Sequence, residues 1–220
     1  MMIKLVRRQL GPDYDIATHF TPRYNPWEQR LCLVPDGDLF KAISAGKASV
    51  VTDTVERFTP TGIQLASGNT LEADIVVTAT GLKLLALGGV ELEVEGEPIR
   101  LPEQLAYKGM MLSGVPNFAF TIGYTNASWT LKADLVAEYV CRLLERMDRE
   151  GFTHCVPVDD GTVQRRPLLD FQAGYVQRSI HEFPQGGASA PWKLGMSYAQ
   201  DVVTLRHRAL DDGALRFARE

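Results

Sequence analysis

Two short stretches carry residues whose type and spacing could do chemistry, and each lies against a glycine. The first is Gly123-Tyr-Thr-Asn-Ala-Ser-Trp-Thr-Leu131, which runs into an amphipathic helix. The first N–H groups of a helix lack intrahelical partners, and its N-terminus carries about half a positive charge. Such an end is a place for an anion or a polarised carbonyl. The second is Asp74-Ile-Val-Val-Thr-Ala-Thr-Gly81, an apolar run that stops on small residues, Ala79, Thr80 and Gly81. Glycine there allows a sharp turn and a close approach to the backbone. In open α/β sheets ligands sit off the carboxyl ends of strands. The same octapeptide also reads as a plain core strand closed by a turn glycine.

Other chemistries are excluded by spacing. Cys32, Cys141 and Cys155 are odd in number and far apart, with no CxxC, so they read as reduced cytoplasmic thiols. His19, His154, His181 and His207 are equally scattered, and no pair has metal-ligand spacing. A formal net charge of -4 argues against a nucleic-acid footprint. The 220 residues, 45% hydrophobic and 23% charged, suit a soluble globular chain of one large domain or parts of two. No apolar run approaches the ~20 residues of a membrane span, and the start is too short in apolar residues for a secretory signal.

The elements that must position these residues follow in chain order. Residues 2–10 predict the tail of an amphipathic helix closed by Gly11-Pro12, and 13–20 a short helical turn. Residues 21–31 carry two prolines and two aromatics, which predicts a rigid irregular loop. Residues 35–38 form a turn, with Asp38 as N-cap of a helix over 39–45. The period then becomes that of strands: 48–52, a meander of 54–59 and 62–66, a turn at 67–69, and a buried parallel strand over 74–79. A hairpin is predicted within 90–100, turning at Glu95-Gly96, and a second buried strand over 117–123.

The clearest helix follows. Leu131, Leu135, Val136, Tyr139, Val140, Leu143, Leu144 and Met147 make one apolar stripe, with Lys132, Glu138, Arg142, Glu145 and Arg149 elsewhere. Asn126 or Ser128 can cap its start, and Gly151 ends it. Beyond it, 154–158 reads as a strand, 170–178 as a short helix, 185–191 as a flexible loop and 198–210 as a last helix.

Two strand-turn units suggest a protein of two nucleotides, yet no G-x-G-x-x-G occurs. Three long stretches closely resemble flavin-dependent Baeyer–Villiger monooxygenases, in particular their ethionamide-activating branch. They are His19-Phe-Thr-Pro-Arg-Tyr-Asn-Pro-Trp-Glu-Gln-Arg-Leu-Cys-Leu-Val-Pro-Asp-Gly-Asp-Leu-Phe40, Ala106-Tyr-Lys-Gly-Met-Met-Leu-Ser-Gly-Val-Pro-Asn117 and Ile122-Gly-Tyr-Thr-Asn-Ala-Ser-Trp-Thr-Leu-Lys-Ala-Asp-Leu135. The resemblance covers nearly the whole chain. It lacks the family's two glycine motifs and its Phe-x-Gly-x-x-x-His-x-x-x-Trp fingerprint, which belong to an N-terminal half.

The resemblance implies an α/β fold: the C-terminal parts of two doubly wound dinucleotide-binding domains, with an antiparallel meander and a helical extension. Residues 1–84 would finish the NADP-binding domain, 85–151 the FAD-binding domain, and 152–220 the extension. It implies FAD and NADPH as cofactors and O2 as co-substrate. A flavin C4a-peroxide would insert oxygen beside a ketone or add it to sulfur. Arg30 matches the arginine that stabilises the oxyanions, though many members have Lys-Arg where this chain has Gln29-Arg30; a surface arginine is the other reading. Ala79, Thr80 and Gly81 would end the NADP domain. Gly123, Tyr124, Thr125, Asn126, Ala127, Ser128, Trp129, Thr130 and Leu131 would lie under the flavin pyrimidine. Trp192 matches a late tryptophan that closes over the nicotinamide, or else it only packs. The implied partner is the missing N-terminal half. A non-catalytic remnant, able at most to pack against a partner, is the alternative.

Overall fold

The structure, a computed structural model, describes residues 2–25, 34–125 and 127–219. The chain divides into two units, residues 1–26 with 31–81 and residues 27–30 with 82–220.

In the first unit, α1 (Met2–Leu10) ends at Gly11 as its composition predicts. Helix α2 (Ile16–His19) starts where the Asp15 carboxylate accepts a hydrogen bond from Thr18 N at 3.1 Å. A 3₁₀ turn over Pro35–Gly37 leads into α3 (Asp38–Ser44), whose cap is Gly37 at φ 67° and not Asp38, the first helical residue. The meander is present as β1 (Val55–Thr59), β2 (Gly62–Leu65) and β3 (Thr70–Glu72), all antiparallel.

Two expectations fail in this unit. No strand forms over 48–52. Residues 74–79 form no ladder either, and Ile75 and Val77 are 82% and 83% exposed. A continuous apolar run suits a strand flanked on both sides. No neighbour among the described residues pairs with this one, so its backbone is irregular and its side chains stay open.

The second unit begins with a hairpin of β4 (Glu93–Val94) and β5 (Glu97–Pro98), turning at Glu95 and Gly96 as predicted. A tighter hairpin follows, β6 (Ala106–Tyr107) with β7 (Met111–Leu112). Residues 117–123 are not a strand; Phe120 N donates to Met110 O at 2.8 Å, but no ladder forms. Helix α4 (Trp129–Glu150) confirms the long apolar stripe, and Gly151 ends it at φ 68°. Leu135, Val136, Tyr139, Leu143 and Met147 are buried. Leu131 and Leu144 turn outward, and Lys132, assigned to the polar face by its charge, is buried.

Strands β8 (His154–Pro157) and β11 (Leu215–Ala218) pair antiparallel, so the chain end forms a strand that its sequence did not announce. Strand β9 (Arg165–Pro167) pairs with β10 (Gln185–Gly187), which overturns the first part of the flexible loop expected over 185–191; 188–191 remain bends and turns. Its glycines suit a strand approached closely from both sides: a Cβ on Gly187 would lie 2.6 Å from Trp192 Cβ and 2.8 Å from Val163. Helix α5 (Gly174–Gln177) is shorter than predicted. The last helix opens as α6 (Tyr198–Asp201) and continues as a π-helical stretch over Val202–His207.

The architecture is α/β with small sheets whose ladders, among the described residues, are all antiparallel. The main core packs Leu135, Tyr139 and Leu143 of α4 against Tyr107, Met110, Trp192, Leu205 and Leu215. No described helix is long and apolar enough to cross a membrane.

Leu135 is 0% exposed and Leu144 54%. Leu135→Ala is therefore expected to lose about 2–5 kcal/mol, and Leu144→Ala no more than ~0.5 kcal/mol. Urea denaturation followed by circular dichroism measures both. Equal losses would mean that the stripe faces another way.

Candidate functional site

Among the described residues, no side chain caps the N-terminus of α4. Ser128 takes the N-cap conformation (φ -65°, ψ 134°) but makes no side-chain cap bond. Its hydroxyl is instead 2.7 Å from the Thr130 hydroxyl. No described side chain therefore caps the first-turn N–H groups, which are left for another acceptor. Ala127, Ser128, Trp129, Thr130 and Leu131 are exposed, Thr125 is half-buried, and Gly123 and Tyr124 are buried. Asn126 lies outside the described residues.

Gly123 is required where it stands. A Cβ there would lie 2.2 Å from Cγ of Trp129, so any side chain would displace the indole. The glycine thus lets the loop fold back under the first residue of the helix.

Next to this turn is a buried polar trio. Asp201 Oδ2 accepts hydrogen bonds from Tyr124 Oη at 2.7 Å and from Lys132 Nζ at 2.8 Å. The ammonium also lies 5.5 Å from the Tyr124 ring centroid. Burial, reinforced by the bond to Asp201, pushes the Tyr124 phenol above its usual range. Gly195 makes room for the carboxylate, since a Cβ on it would lie 2.1 Å from Asp201 Oδ1.

A second cluster is built on Lys108. Its Nζ donates to Tyr139 Oη at 3.1 Å and pairs with Asp212 Oδ2 at 3.0 Å. Tyr107 Oη donates to the same carboxylate oxygen at 2.7 Å. Burial, and then the nearby Tyr139 phenol, push the Tyr107 phenol up. Burial works to raise the Asp212 carboxyl as well. The Tyr107 and Lys108 hydrogen bonds and the Lys108 charge outweigh it and hold the group below the usual carboxylate range.

Both clusters border one cavity of about 940 Å³. Its walls include Leu168, Phe171, Leu194, Met196 and Leu205, with Thr125 contributing from the loop before α4.

Ala79, Thr80 and Gly81 are exposed at the end of the first unit. Arg30 lies outside the described residues. Trp192 is buried, edge-on to Tyr107 with ring centroids 5.8 Å apart. Sequence reasoning missed Lys132, Asp201, Lys108 and Asp212. One signal was available for Lys132: it precedes Leu135, Val136 and Tyr139 by three, four and seven residues, which is the buried face. Nothing local in the sequence pairs it with Asp201.

No family model matches the chain. Curated proteins do match. All 220 residues align at 54% identity with "FAD-containing monooxygenase EthA" of Mycobacterium tuberculosis, covering 100% of this chain and 45% of that protein. Its namesake in Mycolicibacterium smegmatis is 50% identical over 219 residues, 99% of this chain and 44% of that one. "Probable FAD-binding monooxygenase AlmA" of Acinetobacter baylyi is 47% identical over 218 residues, 98% of this chain and 44% of that one. The chain therefore spans about half the length of the curated relatives it matches, and its counterpart is their C-terminal portion.

The Asp212 cluster has a pH signature. A carboxyl held below its unfolded value, about 3.9, contributes stability that is complete above that value and lost as pH falls through the folded one. Wild type should therefore lose this increment below about pH 4, whereas Asp212→Asn should lack it at every pH. Melting temperatures from pH 7 to pH 2 test this. Parallel curves for the two proteins would show that the cluster contributes no such linkage.

Proposed function

We propose, from a chain similar over its whole length to the C-terminal portion of FAD-containing monooxygenases, that it completes an FAD- and NADPH-dependent enzyme of this kind. The reaction is insertion of one oxygen atom of O2 beside a ketone carbonyl, or its addition to sulfur. The observation that carries this is the 54% identity spanning all 220 residues.

On this reading residues 1–84 finish an NADP-binding domain, 85–151 finish an FAD-binding domain and 152–220 extend it. The open apolar run at 75–77 is then a strand whose parallel neighbours come from the N-terminal half, which would complete a doubly wound sheet. Its exposure in this chain supports the assignment.

The residues present fit one edge of a flavin and not its pyrophosphate. The uncapped α4 N-terminus offers N–H donors to the N1 and C2 carbonyl edge, where negative charge gathers on reduction. No G-x-G-x-x-G is available for the pyrophosphate. Bound FAD would supply the electron relay from NADPH to O2. The chain's own part is to position and to exclude. Gly123 lets Trp129 seat over the loop. The cavity beside Thr125 has Leu168, Phe171, Leu194 and Met196 for the body of a ketone or thioether, and Lys108, Arg166 and Asp201 as polar groups at its border. Ala79, Thr80 and Gly81 would serve the NADP side. Trp192 belongs to the same proposed set, although its packing on Tyr107 favours a role in the core.

Arg30 would present two parallel N–H donors to the oxyanion that develops during transfer. A second reading, a packing module without catalysis, is equally compatible with the exposed Ile75 and Val77. An upstream in-frame segment with two glycine motifs would decide against it.

Arg30→Ala in the complete enzyme should leave FAD content unchanged and lower product formation about 10²–10³-fold. NADPH should still be consumed, with O2 leaving as hydrogen peroxide. Arg30→Lys keeps the charge but not the fork, so it should recover little. The readout is product formed per NADPH oxidised; unchanged rate and coupling in the alanine variant would reduce Arg30 to a loop arginine.

A further inference from the structure

One carboxylate holds both ends of the segment from Tyr124 to Lys132. Asp201 reaches Tyr124 from 77 residues away and Lys132 from 69. Tyr124 follows directly on Gly123, and Lys132 closes the first turn of α4. Among the residues between them are Trp129, Thr130 and Leu131, the start of α4, whose N–H groups no described side chain caps. Asp201 itself sits at the junction of α6 and the π-helical stretch, a distortion frequent at functional sites.

Stability alone does not call for this arrangement. A buried ion pair replaced by apolar residues of similar volume is often neutral or even stabilising. An apolar trio could pack the same space, but it could not tie Tyr124 and Lys132 by directional bonds to one carboxylate oxygen. Lys132 adds a full cation within the turn that already carries the positive end of the helix. Asp201, 2.8 Å away, cancels it.

We propose that Asp201 is a positioning residue for the flavin edge: it fixes the Tyr124–Lys132 segment and neutralises Lys132, so that the potential there is that of the α4 N-terminus alone. This rests on the flavin reading above. It extends that reading to residues of the chain's last quarter.

The two partners then carry opposite signatures. Asp201→Asn leaves the Lys132 ammonium without its carboxylate and favours the reduced, anionic flavin. Lys132→Gln leaves the carboxylate without its cation and disfavours it. The test is the two-electron midpoint potential of FAD in the complete holoenzyme, measured against reference dyes. Asp201→Asn should raise it and Lys132→Gln lower it, each by a tenfold change in the reduction equilibrium, about 30 mV. The double variant should return close to wild type.

Shifts of the same sign, or none, would overturn the proposal, because a purely structural role loosens the segment alike in both variants. Gly123→Ala serves as an independent probe of the flavin reading, since it displaces Trp129 without touching the pair. If it shifts the potential while both pair variants are silent, the flavin reading stands and the Asp201 proposal falls. If all three are silent, both fall. Should Asp201→Asn fail to accumulate, the sign of the Lys132→Gln shift decides alone.

Discussion

The Lys132 ammonium, 1% exposed, is held out of water beneath a helix. Removing such a charge from water costs several kcal/mol, and only a close, well-aligned counter-charge offsets it. Asp201 is that counter-charge, and meeting it dictates much of the second unit. The chain must return after 69 residues with a carboxylate at one point, Gly195 must lack a Cβ there, and the turn that follows winds as a π-helix. Lys108 and Asp212 repeat the arrangement under the middle of α4, where Tyr139 shares the ammonium. The last strand, β11, follows Asp212 and pairs with β8. Residues 198–218 are thereby a wall of the core and not an appended tail.

Local patterns in the sequence were enough wherever the stabilising partner is local. The α4 stripe, its Gly151 end, the meander at 55–72 and the turn at Glu95-Gly96 all depend on neighbours a few residues away. Distant partners leave no such trace. Strand β10 reads as a flexible glycine loop until Arg165–Pro167 pairs with it. The run at 75–77 has the composition of a buried strand, but composition does not supply the neighbours that would bury it. Lys132 sits on the inner face, where its helical spacing puts it, although its charge alone points to the outer one. The site was legible to the same degree. The loop from Gly123 to Leu131 and the bare helix end were visible as a motif, whereas the carboxylate that holds them was not.

The chain and its relatives fit together around this division. It has an exposed helix end, suited on the proposed reading to the flavin edge where negative charge gathers, and a cavity beside it with both apolar and charged walls. It has no glycine motif for either pyrophosphate, and it spans about half the length of the proteins it matches. On the proposed reading its contribution would be to shape and polarise one side of the isoalloxazine, with the pyrophosphates held by the N-terminal half.

Flavin retention tests that division directly. The 220-residue chain is purified with excess FAD and desalted, and the flavin remaining per chain is read from its visible absorbance. The account predicts a colourless protein, because the N–H donors of α4 alone cannot hold a dinucleotide whose pyrophosphate is unbound. A yellow protein carrying stoichiometric FAD would contradict it.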